Sequence, residues 1–215
     1  KTATDMAPEA EQIQRSSYAS RTYAVAMTNS ENIKFLPRTV AYVGASDDPN
    51  ALPSLLLEDF DDALHAYARL GDVDAPQRVE DAIDADAVVI AMSARRPSLV
   101  DLPALSHSAL VYVLIACDGS ETDEARLAME RTCGLLGQSG AMLAGCVLIP
   151  LAGQLERHMK GPRMGHARRN VSEATDELVL ALRCAATPGV IEVRPPWPRV
   201  FHRLGNALRG LGLFS

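Results

Sequence analysis

Aromatic side chains are scarce, with Phe, Trp and Tyr making up 5% of the 215 residues and Trp197 the single tryptophan. A core in this chain has to be built from aliphatic residues and alanine. No apolar run approaches the roughly 18 residues that a membrane-spanning helix needs, so no membrane association of that kind is expected. Positive charge is also in deficit: 21 Lys and Arg stand against 27 Asp and Glu, a formal net charge of −6. That balance argues against a general nucleic-acid binder, whose affinity comes from neutralising phosphates. Cysteines number four, Cys117, Cys133, Cys146 and Cys184. They form no CxxC pair and have no histidine at ligand spacing, so free buried thiols are expected and a metal centre is not. Such usage fits a reducing compartment. Residues 1–20 are polar, without the apolar stretch of a signal peptide, and a cytoplasmic location is the expectation. Three signatures are missing as well: the dinucleotide G-x-G-x-x-G, the nucleoside-triphosphate G-x-x-x-x-G-K-[ST], and the G-x-S-x-G nucleophile elbow.

What is present is length and apolar content enough for one sizeable core, 47% hydrophobic over the chain. Residues 1–37 are polar and small and read as an N-terminal arm, helical over Ala7–Ser16, that covers a sheet edge or a neighbouring subunit; a loosely ordered tail is the alternative. Residues 38–192 read as the core domain. Val40–Val43, Ala87–Met92, Ala109–Cys117 and Ala141–Leu151 are apolar throughout, as strands covered on both faces should be. With a weaker strand over Ala68–Val73, five strands are expected, near residues 40, 69, 88, 113 and 145. Leu52, Leu55, Leu56, Phe60, Ala63, Leu64 and Tyr67 recur at helical spacing, with Asn50 as cap. Pro76 opens a short helix through PQRVEDAID. Another helix runs from Thr122 to Leu136, closed by Gly137, and another from Ser172 to Arg183, capped by Ser172. The alternation predicts a parallel sheet with helices on both faces and right-handed crossovers. Residues 193–215 read as a proline-rich turn and an amphipathic helix, Arg199–Leu213, suited to docking or dimerisation. The basic run Arg157–Arg169 reads as a mobile surface loop, or as a patch that steers anionic groups.

In an open parallel sheet, ligands sit beyond the carboxyl ends of the strands where strand order reverses. That singles out Gly44–Ala51, Ser93–Pro103 and Asp118–Thr122. The first of these, in RTVAYVGASDDPNA, is a strand, a tight polar loop and a helix start, the arrangement that seats an anion on free backbone amides. Asp47 and Asp48 place two negative charges in that loop.

GASDDPNALP stands where the flavodoxin-like NAD(P)H-dependent FMN reductases carry a G-S-P-R-x-x-S-N-T loop, and ACDGSETDEA resembles their fourth-strand loop. Over roughly residues 38–212 the chain resembles that family. The Pro-Arg pair is replaced by Asp47-Asp48, and SARRPSLVDLP has no counterpart of the family's ring-contacting aromatic. The resemblance implies a flavodoxin-like three-layer sandwich with a five-stranded parallel sheet. It also implies non-covalently bound FMN, NAD(P)H as electron donor, a small-molecule electron acceptor and a homodimer. Ser46, Asn50, Ala51 and Leu52 would seat the phosphate; Ser93, Ala94, Arg95 and Pro97, with Asp118, Gly119 and Ser120, would lie along the ring. No catalytic side chain is implied, because hydride passes directly from nicotinamide to flavin. Two other outcomes stay open: a protein that has lost its flavin and serves as a binding or assembly module, and an electron carrier without NAD(P)H turnover.

Overall fold

Residues 37–44, 46, 48–95, 104–106 and 108–195 are described in the structure, a computed structural model. The expected N-terminal arm and C-terminal helix, with Trp197, lie outside the described residues, as do Asp47 and Pro97. In chain order the elements are β1 (Thr39–Gly44), α1 (Leu52–Leu70), β2 (Gln77–Val79), a 3-10 turn (Ala82–Asp84), β3 (Ala87–Ser93), β4 (Leu110–Ala116), α2 (Asp123–Ser139), β5 (Met142–Ile149), α3 (Ala152–His158), α4 (Arg169–Arg183) and β6 (Gly189–Glu192).

All strand pairs are parallel, in the order β2-β1-β3-β4-β5-β6. The chain leaves β1 toward one edge and β3 toward the other, so strand order reverses between them. Every side chain of β3 from Ala87 to Met92 is buried, as is every one of β4 from Val111 to Ala116. Their unbroken apolar character follows from cover on both faces. On one face α1, α3 and α4 pack over Val89, Tyr112, Leu114 and Val147. On the other, α2 and the 3-10 turn cover Val88, Ile90, Val113 and Leu148.

The sheet has six strands, not five. Ala68–Val73 is not a strand: α1 continues to Leu70, with Ala68 buried, and the chain turns at Gly71. The second strand is Gln77–Val79, where a helix is expected from the sequence. It forms because the Gln77 N–H reaches Arg38 O at 2.7 Å and extends the β1 edge. The added strand, β6, pairs with β5 from Gly145↔Gly189 to Leu148↔Glu192. α2 runs past Gly137 to Ser139 and stops at Gly140, whose φ of 75° suits glycine. α4 starts three residues before Ser172, which is fully buried inside the helix and caps nothing.

Crossover handedness departs from expectation at one place. β1–α1–β2 moves toward the β2 edge over one face, and β4–α2–β5 moves toward the β6 edge over the other; these two share a hand. β5–α4–β6 also moves toward the β6 edge, but α4 lies on the α1 face, so this crossover has the opposite hand. Cover explains it. Without α4 the α1-side face of β4 and β5 would lie open, and burying Leu178, Val179 and Leu182 there outweighs the usual preference of strand twist.

Close approach of α4 demands a small residue beneath it. A Cβ on Gly145 would meet Leu178 Cδ1 at 2.8 Å and Pro188 Cγ at 2.9 Å. Gly145 also faces Tyr112 beside the register shift in the β4–β5 ladder, and the Tyr112 hydroxyl donates to Ala186 O at 2.9 Å. Gly145→Ala is expected to destabilise the fold by about 1–3 kcal/mol, read as a lowered urea midpoint at unchanged slope.

Candidate functional site

Three loops leave the carboxyl ends of β1, β3 and β4. Register pairs Gly44 with Ala91 and Ser93 with Ala116, so the loop ends lie on neighbouring strands, each about 4.8 Å from the next. Ser46, Asn50, Ala51 and Leu52 are grouped on the β1–α1 loop, and Ser93, Ala94 and Arg95 at the end of β3. Asp118, Gly119 and Ser120 follow β4.

The β1–α1 loop is internally bonded. Asp48 N–H donates to Ser46 Oγ at 3.2 Å, Asn50 N–H to Asp48 Oδ1 at 2.9 Å, and Ala51 N–H to Asp48 O at 3.1 Å. Ser54 Oγ donates back to Asp48 O at 2.8 Å. Asp48 thus organises the loop through its carboxylate, an Asx turn set just before the helix. Ala51, not Asn50, is the cap residue of α1, in extended conformation and with no side-chain cap bond. The Asn50 side chain instead accepts from Lys160 Nζ at 3.2 Å. Leu52 is buried and anchors the helix start.

At the end of β3, Ala94 N–H donates to Ala116 O at 2.8 Å, which carries the β3–β4 ladder one residue further. Arg95 and Asp118 form an ion pair at 2.9 Å across the two strand ends, with both side chains well exposed. Gly119 O accepts Leu151 N–H at 3.0 Å and Cys117 O accepts Ala152 N–H at 2.9 Å. The β4 loop is thereby tied to the start of α3, where Leu151 takes a φ of 60°. Cys117 lies just past β4 and donates to Glu121 O at 3.4 Å; burial raises its thiol pKa. It stays protonated and is a poor nucleophile at neutral pH. Burial likewise pushes the Cys146 thiol up to about 12, whereas Cys133 and Cys184 are exposed, contrary to the expectation of four buried thiols.

A buried charge network, not visible as a motif, lies behind this crest. Asp59 on the core side of α1 accepts from Arg168 at 2.5 Å and lies 3.5 Å from Arg163 Nε. Arg168 also donates to Met159 O and, at 2.7 Å, to Gly161 O. Arg163 donates to Asp59 O at 3.2 Å and to Asp176 Oδ1 at 2.5 Å. The basic run is therefore pinned to α1 rather than being a free loop. Among the described residues, Asp59 Oδ2, Ser172 Oγ and Thr175 Oγ1 are buried without a partner.

Burial raises the Asp59 carboxyl pKa above the usual aspartate range, against the lowering pull of Arg163 and Arg168. The folded state therefore holds this proton more tightly than the unfolded chain. The group's stabilising contribution is full below the ordinary aspartate pKa and is lost as pH rises through the raised one. Asp59→Asn removes that contribution. Urea midpoints followed from about pH 7 to about pH 4 should fall more steeply for the variant than for the unaltered protein, and parallel curves would refute the assignment.

Beyond the ends of β5 and β6, a cavity of about 30 Å³ lies among Leu151, Leu155, Asn170, Val171 and Val193. That volume is room for one or two waters. No group of His, Cys, Asp and Glu among the described residues is arranged to hold a metal ion, and no described helix is long and apolar enough to cross a membrane. Sequence reasoning singled out the basic run that holds Lys160 and Arg168 but missed Asp59 and the partners of all three. A signal existed for one of them: Asp59 lies three residues after Leu56 and four before Ala63, on the apolar stripe itself, and a carboxylate there requires a buried cation.

No protein-family model, curated protein or solved structure matches this chain.

Proposed function

We propose that the chain is a flavodoxin-like oxidoreductase that binds FMN non-covalently and passes electrons from NAD(P)H to a small-molecule acceptor, as a homodimer. The observation that carries this reading is the strand order: β2-β1-β3-β4-β5 is the flavodoxin-type order, whose switch point between β1 and β3 is where FMN binds in that fold. β6 extends it by one strand. The crest residues would then take the roles the resemblance implies, with the phosphate at Ser46, Asn50 and the start of α1 and the ring between the β3 and β4 loops.

A phosphate entering the β1–α1 loop has to displace the Asp48 carboxylate from the Asn50 amide. Losing one charge-assisted hydrogen bond costs about 1.5–3 kcal/mol, against the roughly 8 kcal/mol of micromolar binding. The displacement reduces affinity without forbidding it. Titration of the purified protein with FMN is expected to quench flavin fluorescence with a Kd of about 10–150 μM, micromolar binding weakened by that displacement, and NADPH is expected to bleach the bound flavin. FMN uptake without bleaching by NADPH would instead indicate an electron carrier that does not turn over NAD(P)H.

A second reading has its own support: Asp48 already satisfies the Asn50 amide and Arg95 already has Asp118. Those self-contained contacts fit a flavodoxin-fold module that binds a partner rather than a flavin. Absence of any FMN uptake, in the unaltered protein and in Asp48→Ser alike, would select it.

A further inference from the structure

Lys160 reaches a loop 110 residues earlier in the chain, and the hardware that holds it there is buried. Its neighbours on either side, Met159 and Gly161, both give their carbonyl oxygens to the Arg168 guanidinium. Arg168 in turn is fixed by Asp59 at 2.5 Å, and both side chains are more than nine-tenths buried. The Met159 side chain is buried in the core on the same face of the sheet. A lysine on an exposed turn ordinarily samples many rotamers. Here the backbone beneath it is clamped at two successive points, which leaves the side chain directed at Asn50.

We infer that Asp59 and Arg168 form an internal strut that positions Lys160 against the β1–α1 loop, so that this loop receives its cation from the α3–α4 segment. The β1–α1 loop carries no positive charge of its own between Gly44 and Leu52, only acids. Arg163 braces the same arrangement by joining Asp59 to Asp176, which ties α1, the turn before α4 and α4 itself together. The strut makes the two loops mechanically dependent: loosening the turn at residues 159–161 withdraws the ammonium group from Asn50. The consequence for ligand binding rests on the flavin reading, in which the Lys160 charge offsets Asp48 beside the incoming phosphate.

Two variants separate the parts. Lys160→Gln is an exposed change that leaves the strut intact. The pair Asp59→Leu with Arg168→Met removes the strut without stranding a buried charge, which lets the fold survive. Amide hydrogen exchange is read at residues 48–51 and 159–163, with β4 as the internal control for folding. The paired variant is expected to speed exchange about tenfold in both segments and Lys160→Gln only in 48–51, with β4 unchanged in Lys160→Gln and faster in the paired variant only by its global loss of stability. Unchanged exchange at 48–51 in the paired variant would overturn the strut. Faster exchange there in the paired variant but not in Lys160→Gln would overturn the role of Lys160. With FMN as probe, each variant is expected to lose about fivefold in affinity, the size of one partly screened charge contact. Equal affinity in Lys160→Gln and the unaltered protein would overturn the ligand role. Failure of the unaltered protein to take up FMN would count against the flavin reading alone, with the strut still decided by exchange.

Discussion

Arg168→Met, made alone, is expected to destabilise the protein by about 3–5 kcal/mol, a large share of the roughly 5–15 kcal/mol available to a domain. The guanidinium serves three acceptors at once: Asp59 Oδ1, Met159 O and Gly161 O. Removing it leaves a carboxylate in the core whose second oxygen has no partner to begin with. Arg163 offsets part of that charge from 3.5 Å but does not replace the hydrogen bond, because its Nη2 is committed to Asp176. The cost therefore combines an under-compensated buried charge with the lost bonds. Adding Asp59→Leu to the same chain is expected to recover most of it, leaving a deficit of about 1–2 kcal/mol from the two carbonyls that lose a donor. Urea unfolding of the single and paired variants measures the difference. Equal losses in the two would mean that Asp59 is already neutral and that the bond network, not charge, carries the energy.

The central strands and the two long helices were legible because their patterns are enforced by burial. β3 and β4 are enclosed on both faces and read as unbroken apolar runs, and α1 shows its stripe from Leu52 to Leu64. The edges of the sheet were not. β2 is three residues long, with Gln77 and Arg78 exposed, and its only reason to be extended is pairing with β1. The Pro76 that begins this stretch is as good a helix start as a strand entry, and tertiary pairing decided between them. β6 has one half-buried residue, Ile191, and offers no alternation to detect. In the candidate site, the loop positions were readable because strand ends fix them. The Lys160 contact was not, since nothing local joins residues 50 and 160; it depends on α4 lying on the α1 face, which in turn depends on the crossover of opposite hand.

That dependence makes α1 the element on which sheet, strut and site all converge, and Phe60→Ala tests it. Phe60 is fully buried and meets Tyr42 of β1 edge-to-face, with ring centroids 6.4 Å apart and planes at 67°. Truncation removes the transfer energy of the ring and leaves a cavity between α1 and the sheet, together about 3–5 kcal/mol, with part of that lost from the aromatic pair. Tyr42→Phe provides the comparison. It keeps the ring contact and removes only the hydroxyl that donates to Asp61 at 2.8 Å, so it is expected to cost about 0.5–1.5 kcal/mol. Phe60 immediately follows Asp59 and lies one turn from both Leu56 and Leu64, so the cavity opens beside the strut rather than at a remote end of the core. A helix free to settle into that space shifts Asp59 relative to Arg168, and with it the loop that begins at Asp48. Phe60→Ala should therefore raise amide exchange at residues 48–51 more than at β5, on top of its global loss. A uniform rise across the sheet would show that α1 transmits no selective strain to the crest.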